Sequence, residues 1–198
     1  CEEVDKAIAD GNTNIILSDR GVDAKHAAIP ALLATAGVHH HLIRNATRTK
    51  VGLILESGEP REVHHFAVLI GYGIGAVNPY LAFESISDLI GKGHVPEMEY
   101  DKAIANYIKS INKSLIKIMS KMGISSVQSY RGAQVFEAIG LNKEFVNQYF
   151  TWTASRIGGI GLEEVAAEVA VHHERAFPTR PIKRADLEWG GEYQWRRD

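Results

Sequence analysis

The 198-residue sequence contains a single cysteine, Cys1. One thiol excludes an internal disulfide, and it is too few for an iron–sulfur cluster, which needs several thiolate ligands. No apolar run approaches the roughly 18 residues of a membrane-spanning helix, and the charged first residues do not form a signal peptide. The formal net charge is only −2, so the charge balance favours neither nucleic acid nor an anionic membrane as a partner. We expect a cytoplasmic protein.

An initiator methionine is also missing, and Val4, Ala7 and Ile8 have the spacing of a helix that is already under way. We therefore expect that the chain is cut from a longer one. Hydrophobic residues make up 45% and charged residues 23% of the sequence, which is the balance of an ordinary globular domain.

Three short apolar runs, each followed by turn-forming residues, predict buried strands at 14–19, 51–56 and 76–78. Between them, apolar residues recur at helical spacing and predict helices over 27–45 and 61–70. Pro30 falls in the first turn of the earlier helix, where proline is tolerated. This β-α-β-α-β alternation predicts parallel strands, whose carboxyl ends usually carry function.

After residue 80 the pattern becomes helical. Apolar stripes predict helices over 81–90, 104–122, 127–136, 143–150 and 162–177. The predicted fold class is therefore α/β, with a partial parallel βαβαβ unit that resembles half a barrel, followed by a mostly helical extension. We expect three parts, over residues 1–95, 96–178 and 179–198, the last a polar linker.

The nine histidines do not have the spacing of a metal site. His39, His40 and His41 are consecutive, so on a helix their side chains point about 100° apart and cannot converge on one ion. Glu62 and His65 have the i, i+3 spacing of carboxylate-bridged di-iron bundles, but the sequence has no second such pair. We predict no metal ligand, and we predict that His40 is a core histidine whose hydrogen bonds are satisfied.

Three further patterns are weak indications of chemistry. The glycines of Gly71-Tyr72-Gly73-Ile74-Gly75 resemble a dinucleotide loop, but a strand, not a helix, is predicted after them, which favours a turn. Lysines recur every four residues from Lys109 to Lys121 and predict a solvated helix face, or else a contact with an acidic partner. Cys1 opens a predicted helix, which argues against an N-terminal nucleophile.

Several sequence blocks, taken together and in order, resemble the large chain of glutamate synthases. They include LSDR at 17–20, VHHHLIR at 38–44, ESGEPREVHHFA at 56–67, AVNPYL at 76–81 and KIMSKMGISSVQSYRGAQVFEAIGL at 117–141. The blocks cover nearly the whole chain. The resemblance implies that residues 1–95 are the C-terminal half of the central α/β domain, that 96–178 lead to the FMN-binding barrel, and that 179–198 are a linker.

The resemblance also implies a parent enzyme that converts glutamine, 2-oxoglutarate and a reductant into two molecules of glutamate. FMN and a 3Fe–4S cluster are expected in that enzyme, outside this segment. The implied partners are the amidotransferase and FMN-barrel domains of the parent chain, together with a reductase subunit or ferredoxin. No catalytic, cofactor-binding or metal-binding residue is carried over to this sequence, and the segment alone is expected to be non-catalytic.

We expect the segment to hold the two reacting domains and to line part of the route of ammonia between them. Polar residues of the matched blocks are the candidates for this route or for domain interfaces: His39, His41, Arg44, Glu56, Arg61, Glu62, His64, Asn78, Tyr80, Arg131 and Gln134. The alternatives are an independent flavin- or nucleotide-binding half-barrel that uses the glycine turn after Ile70, and a purely structural module without an ammonia route.

Overall fold

The computed structural model describes residues 1–95 and 98–179. Nearly all of the predicted linker, from residue 180 onward, lies outside the described residues. Within the described residues, none of the helices combines the length and the apolarity that a membrane crossing requires.

The first part of the chain contains a three-stranded parallel sheet of order β1-β2-β3. Its elements, in chain order, are α1 (Glu2–Ala9), β1 (Asn14–Ser18), α2 (Ala31–Arg44), β2 (Gly52–Glu56), α3 (Val63–Gly71) and β3 (Ala76–Asn78). A short 3-10 helix, Arg48–Lys50, precedes β2. The predicted βαβαβ alternation and the α/β class are therefore confirmed.

The second part is mostly helical but contains a second sheet. Its elements are α4 (Tyr80–Gly91), α5 (Tyr100–Lys121), α6 (Val127–Tyr130), β4 (Glu137–Leu141), α7 (Lys143–Tyr149), β5 (Ala154–Ile160) and α8 (Leu162–Ala176). β4 and β5 pair in parallel, with two irregularities in their register. The lysines of α5 are exposed, as the prediction of a solvated face requires.

Two apolar clusters hold these elements together. Leu42, Leu53 and Ile74 are fully enclosed in the cluster that joins α2, the sheet and the turn before β3. A second cluster packs Phe145 and Val146 of α7 against α2. Full burial of one such aliphatic side chain contributes about 2 kcal/mol, so α2 is fixed to the sheet on one side and to α7 on the other.

Helix α2 begins at Ala31 and not at residue 27 as predicted. Pro30 occupies the N-cap with an extended backbone, φ −50° and ψ 131°, and a residue that precedes proline, here Ile29, avoids the helical conformation. The amide of Ala31 donates a hydrogen bond to Glu59 Oε2 at 2.9 Å. A carboxylate from the loop after β2 thus caps the helix where the chain's own residues do not.

The helix predicted over 127–136 is wrong in its second half. Only Val127–Tyr130 is helical, because Gly132 and Gln134 adopt positive φ angles of 70° and 54°, which end a right-handed helix. The chain then enters β4. Neither β4 nor β5 was predicted, so the part after residue 80 is less uniformly helical than its pattern indicates.

Candidate functional site

The carboxyl ends of β1, β2 and β3 meet at one edge of the sheet and carry a connected polar network. Ser18 is paired with Glu56, and Glu56 with Asn78, in the parallel register. Because strands of a parallel sheet end on the same side, the loops that follow them lie close together. This edge is the position at which an α/β sheet usually binds or converts its ligand.

Asp19 is the first centre of the network. Its carboxylate accepts hydrogen bonds from Ser57 Oγ at 2.6 Å, from the Gly58 amide at 3.0 Å and from the Tyr80 hydroxyl at 2.7 Å. Burial, reinforced by the hydrogen bond to Asp19, raises the pKa of Tyr80 to about 12. The phenol therefore stays protonated at physiological pH and acts as a donor.

Glu56 is the second centre. It accepts from Arg20 Nε at 2.8 Å, from Ser18 Oγ at 2.7 Å and from Asn78 Nδ2 at 3.2 Å. The hydrogen bond from Arg20, followed by that from Ser18, lowers the pKa of the Glu56 carboxyl group. The Arg20 guanidinium also lies 4.0 Å from the centre of the Tyr80 ring, a cation–π contact that joins the two centres.

A groove of about 820 Å³ opens beside this network. Its walls come mainly from apolar side chains of β1, α2 and α8, among them Ile16, Leu33 and Val165, and Asp19 and Ser57 also line it. Small neutral molecules can enter such a groove, and the polar network forms one of its borders.

A different polar cluster occupies the opposite, amino end of the sheet. Arg48 donates to His39 Nδ1 at 2.9 Å, to the Val51 carbonyl at 2.8 Å and to the Gly73 carbonyl at 2.7 Å. Burial, with the nearby charges of Arg48 and His40, lowers the pKa of His39 to about 4. The imidazole is thus neutral at pH 7, with its Nδ1 as the acceptor.

The glycine turn before β3 is a packing surface. A methyl group on Gly71 would collide with the ring of Phe136, and one on Gly73 would collide with the imidazole of His39. Gly73 also has a φ of 103°, which side chains rarely adopt. The turn follows a helix and precedes a strand, the opposite order to that of a dinucleotide loop. The side chains of Phe136 and His39 occupy the space next to Gly71 and Gly73, where a dinucleotide would have to approach the backbone.

The candidate residues fall into several places. Glu56, Asn78 and Tyr80 are joined in the carboxyl-end network. Arg61, Glu62 and His64 lie at the start of α3, after β2, where His65 Nδ1 accepts from the amides of Arg61 and Glu62. His39 and Arg131 lie at the amino end, since Arg131 approaches Gly75.

The remaining candidates lie on other contacts. His41 Nε2 lies 2.7 Å from Asp5 of α1, and Arg44 donates to the Gln148 carbonyl and the Thr151 hydroxyl at 3.3 Å. Gln134 is exposed in the loop before β4. All three residues lie outside both polar clusters, and His41 and Arg44 connect α2 to other parts of the chain.

The prediction for His40 is wrong in one respect. The residue is half-buried on α2, but its Nε2 atom has no hydrogen-bond partner among the described residues. Burial lowers the pKa of its imidazole, and the nearby charge of Arg44 adds to this effect. Among the described residues, no three histidine, cysteine, aspartate or glutamate side chains group as metal ligands.

Five residues whose side chains belong to these clusters are missing from the sequence-based candidates: Ser18, Asp19, Arg20, Ser57 and Arg48. The first four lie at the end of a predicted buried strand or directly after one, and this position was the signal that could have identified them. Arg48 gave no such signal, because its partners His39 and Gly73 approach it only in the folded chain.

Comparison with known proteins identifies the family to which the chain is related. Residues 1–142 match the family model described as glutamate synthase central domain. The chain is 48% identical over 194 residues to the glutamate synthase [NADPH] large chain of Bacillus subtilis, an alignment that covers 98% of this chain and 13% of that protein. The predicted boundary at residue 95 lies within the matched region and stays a prediction.

Relatives with other electron donors in their names are somewhat less similar but are matched over nearly the whole of this chain. Identity is 42% over 198 residues to the glutamate synthase [NADH] of Schizosaccharomyces pombe, covering 99% of this chain and 9% of that protein. It is 41% over 210 residues to the ferredoxin-dependent glutamate synthase of Pyropia yezoensis, covering 98% and 14%. The chain thus spans about one-seventh or less of the length of these relatives, and it belongs to the glutamate synthase family, in the region of the central domain.

Proposed function

We propose that the chain is a spacer in a glutamate synthase, which holds the glutamine-hydrolysing and glutamate-forming parts of the enzyme in a fixed arrangement and borders the ammonia route between them. The observation that carries this proposal is the network at the carboxyl ends of the three strands. Its carboxylates, Asp19 and Glu56, are each held by three donor groups of the chain itself. Carboxylates held in this way are typical of a rigid surface, because their oxygens already accept hydrogen bonds from the chain and are less free to react with a substrate.

In this proposal the parent enzyme converts glutamine, 2-oxoglutarate and reducing equivalents into two molecules of glutamate. FMN and a 3Fe–4S cluster belong to other parts of that enzyme, and the segment adds no catalytic group. Its partners are the amidotransferase and FMN-barrel domains, and the electron donor reaches the enzyme through a reductase subunit or ferredoxin.

The protonation states of the network support a place beside an ammonia route. Ammonia must stay neutral to cross between two sites, so the wall of its route must lack groups that readily donate a proton. Tyr80 has a pKa of about 12, so its phenol is a weak acid at neutral pH. The pKa of Glu56 is lowered, so its carboxylate has no proton to give.

The groove beside the network supports the same proposal. The groove is mainly apolar and reaches Asp19 and Ser57. A small neutral molecule would therefore meet few polar groups that could bind it and hold it back. The Asn78 amide, held by Glu56 at 3.2 Å, lies in the neighbouring part of the network and is the best position for a test.

The test uses the intact parent enzyme with Asn78→Ala. We expect glutamine hydrolysis to exceed reductive glutamate formation, with the excess ammonia released into solution, because the edge of the route is no longer fixed. Arg61→Ala, at the start of α3, is measured in the same assay. Asn106→Ala is the matched control, because Asn106 is an exposed asparagine of α5, outside the network.

Unchanged one-to-one stoichiometry of hydrolysis and reduction in both Asn78→Ala and Arg61→Ala would remove the ammonia route from the proposal. Equal uncoupling by Asn106→Ala would show that the effect is not specific to the network.

A further inference from the structure

We propose that the amino end of the three-stranded sheet binds a carboxylate group, held by the guanidinium groups of Arg48 and Arg131 beside the imidazoles of His39 and His40. This site is separate from the carboxyl-end network and from the groove described above, and it goes beyond the proposed spacer role. It would give the segment a ligand, or an ionic contact, of its own.

The first argument is the charge at this end of the sheet. Arg131 is close enough to Arg48 for its positive charge to add to burial in lowering the Arg48 pKa. All three hydrogen bonds of Arg48 go to neutral acceptors. Within residues 1–95 and 98–179, no carboxylate oxygen lies within 4.0 Å of either guanidinium group. Partly buried cations without an acidic partner favour an anion.

The second argument is a set of polar atoms without partners, of which the Arg131 Nε–H is a donor in every protonation state of the cluster. Arg131 Nε, His40 Nε2 and the Tyr130 hydroxyl are buried and have no partner among the described residues. Because Arg48 donates to Nδ1 of the neutral His39 ring, the hydrogen of that ring is on Nε2 and adds another donor. A carboxylate has two oxygens that accept from several donors at once, and it fits a planar guanidinium group.

The third argument is accessibility. Arg48, Arg131, His39 and His40 are each only partly buried, so part of each side chain is open to a group from outside the described residues, although Arg131 Nε and His40 Nε2 themselves are buried. Tyr130, the neighbour of Arg131 in the chain, lies deeper, with 1% of its surface exposed. The glycine turn lies against the same groups, since a methyl group on Gly73 would collide with the His39 ring and one on Gly75 would lie 3.7 Å from Arg131 Nη2.

The test measures binding of sodium acetate and sodium glutarate to the 198-residue chain at pH 7, with sodium chloride of equal ionic strength as the reference. We expect saturable binding by calorimetry and a rise in the midpoint of thermal unfolding. Arg131→Gln should weaken the affinity at least tenfold. Arg156→Gln is the matched control, because Arg156 is an exposed arginine paired with Glu137.

A second readout follows the His39 ring by NMR in the unmodified chain. A bound carboxylate favours the imidazolium form, so saturation should raise the His39 pKa from about 4 towards 6.5. The charged or titratable groups that act on this ring are Arg48 and His40, and Arg131 acts in turn on Arg48. The measurement needs no variant, so it remains decisive if Arg131→Gln does not fold.

The two probes distinguish two sources of the same chemistry. Equal affinities for acetate and glutarate would indicate recognition of one carboxylate, as an acidic side chain supplies. At least tenfold tighter binding of glutarate would indicate a free dicarboxylate that contacts both guanidinium groups. If neither anion exceeds chloride in its effect on the midpoint and on the His39 pKa, or if Arg131→Gln binds as well as the unmodified chain, the proposal is overturned.

Discussion

The two ends of the three-stranded sheet are both polar, but they balance their charges differently. At the carboxyl end, Asp19 and Glu56 are held by donors of the chain itself, and Arg20 joins them. At the amino end, Arg48 and Arg131 lie close together without a carboxylate among the described residues. One sheet thus carries a self-sufficient network at one edge and a set of unmatched donors at the other.

This difference indicates a structural role for the carboxyl end and a binding role for the amino end. A network whose groups satisfy one another rigidifies the loops that carry it and gains little from a ligand. Buried donors without acceptors cost stability until an acceptor arrives, and such costs are typical of places where a protein binds something. The carboxyl end therefore fits a spacer, and the amino end fits a contact with another group.

The largest effect is expected for Gly73→Ala at the amino end. The added methyl group would collide with His39, and the φ of 103° strains any side chain, so we expect a loss of about 3 kcal/mol in the free energy of unfolding. Urea denaturation of the chain measures it. Gly11→Ala is the control, because its φ is 87° and nothing lies near the new methyl group; equal losses would show that His39 does not pack on the turn.

A smaller loss, about 2 kcal/mol, is expected for Asp19→Ala at the carboxyl end. This change leaves Ser57 Oγ, the Gly58 amide and the Tyr80 hydroxyl without their common acceptor. The same denaturation experiment compares it with Glu84→Ala, which removes a 62% exposed carboxylate and should change stability by less than about 0.5 kcal/mol. If the two variants lose equally little, Asp19 does not hold the network together.

The smallest expected effect is on the pH dependence of stability, to which His39 at the amino end and Glu56 at the carboxyl end contribute in different pH ranges. The folded pKa of His39 is lowered to about 4, so the unfolded chain binds more protons between pH 6.5 and 4, and stability falls as the pH falls through that window. The lowered pKa of Glu56 begins to affect stability at a lower pH than His39 does. The stability that it adds is present above the unfolded pKa of Glu56 and is lost as the pH falls through the folded value.

His39→Gln tests this window and keeps an acceptor for Arg48. We expect the variant to lose about 1 kcal/mol less than the unmodified chain between pH 7 and pH 4.5, a value discounted for the partial exposure of His39. Denaturation at the two pH values measures the difference. Parallel losses in both proteins would mean that His39 is not held in its neutral form.

The first part of the fold was predictable because its signals are local. Strands β1 and β2 are compact apolar runs, and α3 has helical periodicity, so their positions were predicted to within a few residues. The start of α2 was not, because its cap is Glu59, a residue 28 positions away. A contact over that distance leaves no trace in a local pattern.

Strands β4 and β5 were missed for a physical reason. Their sequences contain glycines, which lower strand propensity. In the fold Gly159 packs against the backbone of Gly140, and a methyl group there would collide with it. The glycines thus lower the strand propensity of the sequence, but their lack of side chains allows β4 and β5 to pair. The polar clusters were only partly predictable because their members meet across loops: Asp19 and Tyr80 are 61 residues apart.

The β4–β5 pair has a consequence for work with the chain in solution. Within the described residues, each of the two strands has one edge without a partner strand, and Ile139 and Ile157 are 69% and 61% exposed. Unpaired strand edges beside apolar side chains readily recruit other strands. Samples should therefore self-associate as their concentration rises, and dilute conditions are the ones in which the properties of a single molecule can be measured.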